Sequence, residues 1–83
     1  MQRFNMALVR RLESTTKDRP TVHGDVVCLY SVFSDPSGNG YLQLDTYGSD
    51  DRDFPGKISQ SVQFNRDSAA QLKKLIEQVF PNL

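Results

Sequence analysis

Residues 59–80 read SQSVQFNRDSAAQLKKLIEQVF, and this stretch decides the fold because its apolar period changes at Asn65. Before Asn65, Val62 and Phe64 alternate with polar residues, as on a half-buried strand. Asn65 itself is a favourable N-cap. After it, apolar residues recur at helical spacings and form one stripe: Leu72, Leu75, Ile76 and Val79. The stretch therefore predicts a strand followed directly by a C-terminal helix, which ends before Pro81.

Two further strands and a turn precede this stretch. Residues 25–34, DVVCLYSVFS, are rich in β-branched and aromatic types, which predicts a largely buried strand. Residues 35–40, DPSGNG, are all turn formers, so the chain reverses there. In residues 41–47 the leucines Leu42 and Leu44 alternate with polar or aromatic positions. This alternation predicts a half-buried strand, paired antiparallel with its predecessor.

The N-terminal stretch leaves two interpretations open. Phe4, Met6 and Leu8 alternate as in a strand, whereas Phe4, Leu8 and Leu12 also fit a helical face. We favour a strand or a loosely attached arm, followed by a polar loop over residues 14–24. The expected organisation is a single α+β domain over residues 1–83, with an arm and loop over 1–24 and a sheet-plus-helix core over 25–83.

Composition limits the stability and the partners of such a domain. The chain has 83 residues, of which 37% are hydrophobic, and its net charge is zero. A monomer this small and polar is marginal, so we expect a homodimer. Charge is distributed unevenly: residues 1–24 carry a net charge of +3 and residues 25–83 a net charge of −3. Zero net charge argues against strong non-specific binding to duplex DNA, although it allows a locally basic site.

Neither a membrane segment nor a disulfide is expected. No stretch has the length and apolarity of a signal peptide or a membrane span, so we expect a cytoplasmic protein without membrane contact. The single cysteine, Cys28, cannot form an internal disulfide, and its apolar neighbours predict a reduced, buried thiol.

Catalytic, cofactor and metal patterns are likewise missing from the sequence. His23 and Cys28 are the only residues of their types, and neither phosphate-binding glycine motif occurs. The acidic cluster at Asp50, Asp51 and Asp53 lacks the pattern of a calcium loop. We therefore expect a binding protein rather than an enzyme, with no cofactor and no metal.

Three stretches together resemble a known family. They are YLQLDTYGS at residues 41–49, FPGK at 54–57 and the strand-to-helix stretch at 59–80. In their order they resemble the transcriptional coactivator called positive cofactor four and its bacterial and phage relatives, which bind single-stranded DNA. The resemblance implies a curved antiparallel sheet of about four strands followed by one C-terminal helix. It also implies a homodimer whose sheets bind unpaired DNA strands. Asp45 and Gly48 stand where the family carries a basic residue and a tryptophan.

The residues themselves favour the same role. Proteins that bind single strands combine cations that contact the backbone with aromatic rings on which bases stack. Glutamines on a strand can donate hydrogen bonds, and the arginines near the N-terminus add positive charge. The candidate nucleic-acid-binding residues are Tyr41, Tyr47, Arg52, Phe54, Lys57, Gln60, Gln63, Arg10 and Arg11.

Each candidate also fits a purely structural role. Phe54 before Pro55 fits a loop anchor, Tyr41 and Tyr47 fit cross-strand packing, and Arg52 fits the neutralisation of its acidic neighbours. We therefore expect a homodimeric protein that binds single-stranded DNA or RNA in replication, recombination or transcription. The alternative is a protein-interaction or regulatory subunit that docks a protein partner, which the near-zero net charge favours.

Overall fold

The computed structural model describes residues 5–47 and 60–83. In chain order the elements are β1 (Asn5–Val9), β2 (Cys28–Ser34), β3 (Gly40–Thr46), β4 (Gln60–Phe64) and the helix α1 (Arg66–Val79). Four strands followed by one C-terminal helix confirm the predicted α+β class.

The strands form one sheet in the order β1-β4-β3-β2. β3 is antiparallel to β2, as the turn predicts, and antiparallel to β4, as the family resemblance implies. β1, however, pairs in parallel with β4, so the sheet is mixed rather than antiparallel throughout. A parallel neighbour requires a long crossover connection, and here β2 and β3 lie within it. Residues 5–9 thus belong to the sheet, and the expected boundary at residue 24 does not separate an arm from the core.

The turn between β2 and β3 is fixed by the side chain of Asp35. Its carboxylate accepts hydrogen bonds from the backbone N–H groups of Ser37 and Asn39, both at 3.0 Å. Gly38 has φ 86°, a conformation that other residues adopt only with strain. The predicted chain reversal is confirmed, and its geometry places Phe33 opposite Tyr41.

The start of the helix is capped as the sequence predicts. The Asn65 side chain accepts a hydrogen bond from the backbone N–H of Ser68 at 3.0 Å, and the Ser68 hydroxyl accepts one from the Asn65 N–H at 3.1 Å. This reciprocal pair satisfies two backbone donors that the helix leaves free, which accounts for the complete burial of Ser68. The helix ends where the N–H of Phe80 bonds to Ile76, directly before Pro81.

The register of the strands brings eight apolar or aromatic residues to one face of the sheet. We call the apolar face the set of residues Ala7, Val9, Tyr30, Val32, Leu42, Leu44, Val62 and Phe64. Phe64 is the only buried hydrophobic residue among those described, at 7% exposure. Since α1 packs against β3 and β4, the small core lies around these two central strands.

Strand β2 differs from its prediction in burial. We expected a largely buried strand, yet every residue of β2 is exposed, and Tyr30 and Val32 keep 74% and 73% of their surface. The reason is its position at the edge of the sheet, away from the main contacts of the helix. Cys28 is accordingly exposed, and the expectation of a buried thiol is wrong.

Candidate nucleic-acid interface

Opposite the apolar face lies a second surface, which we call the polar face, formed by Met6, Leu8, Leu29, Ser31, Phe33, Tyr41, Gln43, Asp45, Ser61 and Gln63. It includes a row of hydrogen-bonded side chains on β3 and β4. The Gln63 amide donates to the Gln43 side-chain oxygen at 2.9 Å, and the Gln43 amide donates to Asp45 Oδ1 at 3.0 Å. The Ser61 hydroxyl donates to the same Asp45 oxygen. Asp45 and Ser61 are buried, so these bonds replace water for both groups. The row therefore has defined side-chain orientations.

An aromatic pair borders this row on the polar face. The rings of Phe33 and Tyr41 are stacked, with centroids 5.5 Å apart and an interplanar angle of 22°. Phe33 is 43% exposed, so part of the pair is open to solvent. Flat, accessible rings of this kind are suited to stacking against bases.

The turn holds Tyr41 in place through Asp35. The Tyr41 hydroxyl donates to Asp35 Oδ2 at 3.1 Å. Hydrogen bonds from Asn39, and then those from Tyr41 and Ser37, hold the pKa of Asp35 below its ordinary value. The hydrogen bond to this carboxylate, and its negative charge, raise the pKa of Tyr41. Tyr41 is thus a neutral hydrogen-bond donor, and the orientation of its ring is tied to that of the turn.

The predicted site residues are only partly brought together. Tyr41 and Gln63 lie on the polar face, whereas the exposed Gln60 aligns with the apolar face, because residues 60 and 63 are an odd number of positions apart on β4. Tyr47 is half-buried and follows directly after β3. Arg52, Phe54 and Lys57 lie outside the described residues, so the predicted cluster around them stays a prediction.

Arg10 and Arg11 are exposed and follow the edge strand β1. Arg11 pairs with Glu13, and the next residue, Leu12, is bound to the helix: its backbone N–H donates to the Gln71 side chain at 2.9 Å. These arginines lie at the same end of the sheet as the aromatic pair, because one row across the sheet joins Val9 to Phe64, Leu42 and Val32.

Two contributors to this end of the sheet, Phe33 and Arg66, were not among the predicted site residues. Arg66 lines a groove together with Tyr41, residues 38–40 and the helix start. It stands directly after the N-cap, where the sequence suggested only a helix position. Phe33 belongs to the strand that we expected to be buried. Counting back from Tyr41 through the turn could have placed Phe33 opposite it.

Positive charge is found at the ends of the described strands and not within them. None of the four strands contains Lys or Arg, and Asp45 is their only charged residue. The cations at the aromatic end, Arg10, Arg11 and Arg66, are accompanied by nearby acids, including Glu13 and Asp67. A nucleic acid bound here would therefore depend more on stacking and hydrogen bonding than on phosphate neutralisation.

No family model, curated protein or solved structure matches this chain. Among residues 5–47 and 60–83 there is no group of three side chains that could hold a metal ion. The same residues contain no helix long and apolar enough to cross a membrane.

Proposed function

We propose that this protein is a homodimer without catalytic activity that binds single-stranded nucleic acid, DNA or RNA, in the cytoplasm, and acts in replication, recombination or transcription. The observation that carries the proposal is the partly exposed Phe33–Tyr41 stack beside the hydrogen-bonded row of the polar face. The resemblance to the positive cofactor four family supports the same function.

Binding would combine three kinds of contact. Bases stack on the aromatic pair, at about 1–3 kcal/mol per base. Amides such as those of Gln43 and Gln63 exchange hydrogen bonds with base edges. Phosphates contact Arg66 and the arginines after β1, together with Arg52 and Lys57 from the segment between β3 and β4. Because the described strands contain no Lys or Arg, phosphate contacts are confined to these five residues of each subunit, and stacking and hydrogen bonding supply the salt-independent part of the affinity.

Fluorescence anisotropy with a labelled single-stranded oligonucleotide, measured over a salt series, tests this proposal. Phe33→Ala should weaken binding about five- to 150-fold at every salt concentration without changing the slope of log affinity against log salt. Phe80→Ala is the matched control, because Phe80 is 58% exposed and lies at the end of the helix. Arg66→Ala should lower the slope by about 0.7.

Lys57→Ala and Arg52→Ala test the cations of the segment between β3 and β4 in the same way. Duplex of equal length should bind less well, because its bases are already stacked. Absence of binding to any single strand at low salt refutes the proposal.

A second candidate function, a protein-interaction or regulatory subunit, is favoured by a different observation. Tyr30 and Val32 on the apolar face keep about three quarters of their surface exposed, and the described strands contain no Lys or Arg. Exposed apolar patches of this kind typically mark protein interfaces. This function predicts that no oligonucleotide binds at low salt and that Phe33→Ala leaves partner binding intact.

A further inference from the structure

The outer edge of β2 lacks the features that normally keep an edge strand from pairing. No described strand pairs with it on the side away from β3. Its sequence, CLYSVFS, has seven exposed residues and contains no charge, no proline and no glycine. Natural edge strands are usually protected by charged residues, proline or a bulge. β2 therefore presents an open row of backbone hydrogen-bonding groups.

The turn determines which residues of β2 form this row. The backbone N–H of Asp35 donates to Asn39 at 2.9 Å, which fixes the phase of the hydrogen bonds between β2 and β3. In an antiparallel pair, hydrogen-bonded and non-hydrogen-bonded residues alternate. Leu29, Ser31 and Phe33 therefore bond to β3. The backbone groups that point outward belong to the alternate residues, Cys28, Tyr30, Val32 and Ser34.

We propose that β2 pairs antiparallel with β2 of a second copy of this chain, about a two-fold axis at Ser31, to form a continuous sheet of eight strands. All four outward-pointing residues then bond across the interface. Tyr30 faces the partner's Val32 on one side of the sheet, and Leu29 faces the partner's Phe33 on the other. This proposal deepens the homodimer part of the proposed function and does not require nucleic acid.

A second copy fits this edge because the strand is self-complementary. In the symmetric register every aromatic ring of β2 meets a β-branched or aliphatic side chain, a pairing that stabilises sheets, and no like charges meet. The chain is also less compact than a closely packed domain. Its radius of gyration is 14.9 Å, whereas a compact chain of this length has about 12 Å.

The geometry places both candidate sites on one surface. A two-fold axis between antiparallel strands stands perpendicular to the sheet, so the polar faces of the two copies point the same way. The two Phe33–Tyr41 pairs then lie on opposite sides of the axis, with the two copies of Ser31 between them. One single-stranded nucleic acid could therefore contact both sites along the same continuous sheet surface.

Disulfide trapping tests the register. In a Cys28→Ser background, Ser31→Cys places two thiols at a non-hydrogen-bonded position with Cα atoms about 4.5 Å apart, within the range that a disulfide spans. Mild oxidation should convert most of the protein to a covalent dimer. Ser34→Cys in the same background is the matched control, because its two copies lie about 20 Å apart along the strands. Equal cross-linking of the two variants, or none at Ser31→Cys, overturns the proposal.

Sedimentation at micromolar concentration provides a second test. Val32→Lys introduces a charge into the strand pairing, and Val32→Pro removes an outward N–H that β3 does not use. Each should lower the dimer fraction at least tenfold while far-UV circular dichroism stays native. Val22→Lys, at a site 97% exposed between β1 and β2, should leave the dimer intact.

The outcomes separate the two proposals. A wild-type monomer refutes both the homodimer and this interface, and a dimer that survives Val32→Lys and Val32→Pro refutes this interface alone. A dimer that cross-links at Ser31→Cys but binds no oligonucleotide supports the interface and refutes only the nucleic-acid proposal.

Discussion

Replacing Asp45 should reveal how much the polar face depends on its one charged residue. Asp45 is 9% exposed, and its Oδ1 atom accepts hydrogen bonds from both Ser61 and Gln43. Hydrogen bonds to a charged group contribute about 1.5–3 kcal/mol each. Asp45→Ala removes both bonds and leaves the Ser61 hydroxyl buried without this acceptor. We expect a loss of about 4 kcal/mol in the free energy of unfolding, a large part of the roughly 4–12 kcal/mol expected for a chain of this length.

Asp45→Asn separates hydrogen bonding from charge. Its side-chain oxygen can still accept both bonds, now at the strength of neutral ones, about 0.5–1.5 kcal/mol each. The expected loss is therefore about 2 kcal/mol, half of that for alanine. Urea unfolding followed by far-UV circular dichroism, at one fixed protein concentration, measures these differences. Asp18→Ala, at an exposed carboxylate in the loop after β1, is the matched control and should change stability by less than about 0.5 kcal/mol.

Two results would contradict the stabilising role of Asp45. If Asp45→Ala is no more destabilising than Asp18→Ala, the hydrogen-bonded row does not stabilise the sheet. If the effects of Asp45→Ala and Ser61→Ala simply add in the double variant, the two side chains are not energetically coupled, contrary to their shared hydrogen bond.

Three further predictions concern the core and the turn. Phe64→Ala removes the only buried hydrophobic residue among those described. It should lower the free energy of unfolding, measured in urea, by about 3–5 kcal/mol. A decrease under about 1 kcal/mol would place the core elsewhere. Gly38→Ala forces a side chain into φ 86° and should cost about 1–2 kcal/mol in the same assay, whereas an unchanged midpoint would contradict the left-handed turn. In the folded state the pKa of Asp35 lies below its ordinary value of 3.8. The ionised carboxylate therefore stabilises the fold at pH values above 3.8, and this contribution is lost as the pH falls through the lowered pKa. The stability difference between wild type and Asp35→Asn, measured by urea unfolding across acidic pH, should therefore shrink as the pH falls, and a constant difference would contradict this linkage.

The parts of the fold that the sequence predicts are those set by neighbouring residues. The turn at residues 35–39 and the cap at Asn65 depend on side chains a few positions apart, and both are confirmed. The partner of β1 could not be predicted in this way. Its parallel pairing with β4 joins distant segments through a crossover, and the alternation of Met6 and Leu8 says nothing about direction.

The candidate site shows the same limit. Tyr41 could be chosen because it alternates with leucines and follows the turn. The turn could also have paired Phe33 with Tyr41, but the exposure of Phe33 could not be predicted, since β-branched and aromatic residues occur both in buried central strands and in exposed edge strands. Composition alone could not assign β2 to the edge. Arg66 approaches the aromatic end only because the helix starts beside the turn, which is a relation between distant segments.

The parallel pairing of β1 with β4 also bears on how the protein folds. The β2–β3 hairpin and the β4–α1 unit are built from local contacts and can form early, whereas β1 must wait until β4 is in place. Closing so long a loop costs conformational entropy before any contact offsets it. During that interval β4 has an open edge, so two edges of the incomplete sheet are free at once. Strand pairing at the wrong edge can occur during that interval, and the arrival of β1 covers β4 and moves that open edge to β1 itself.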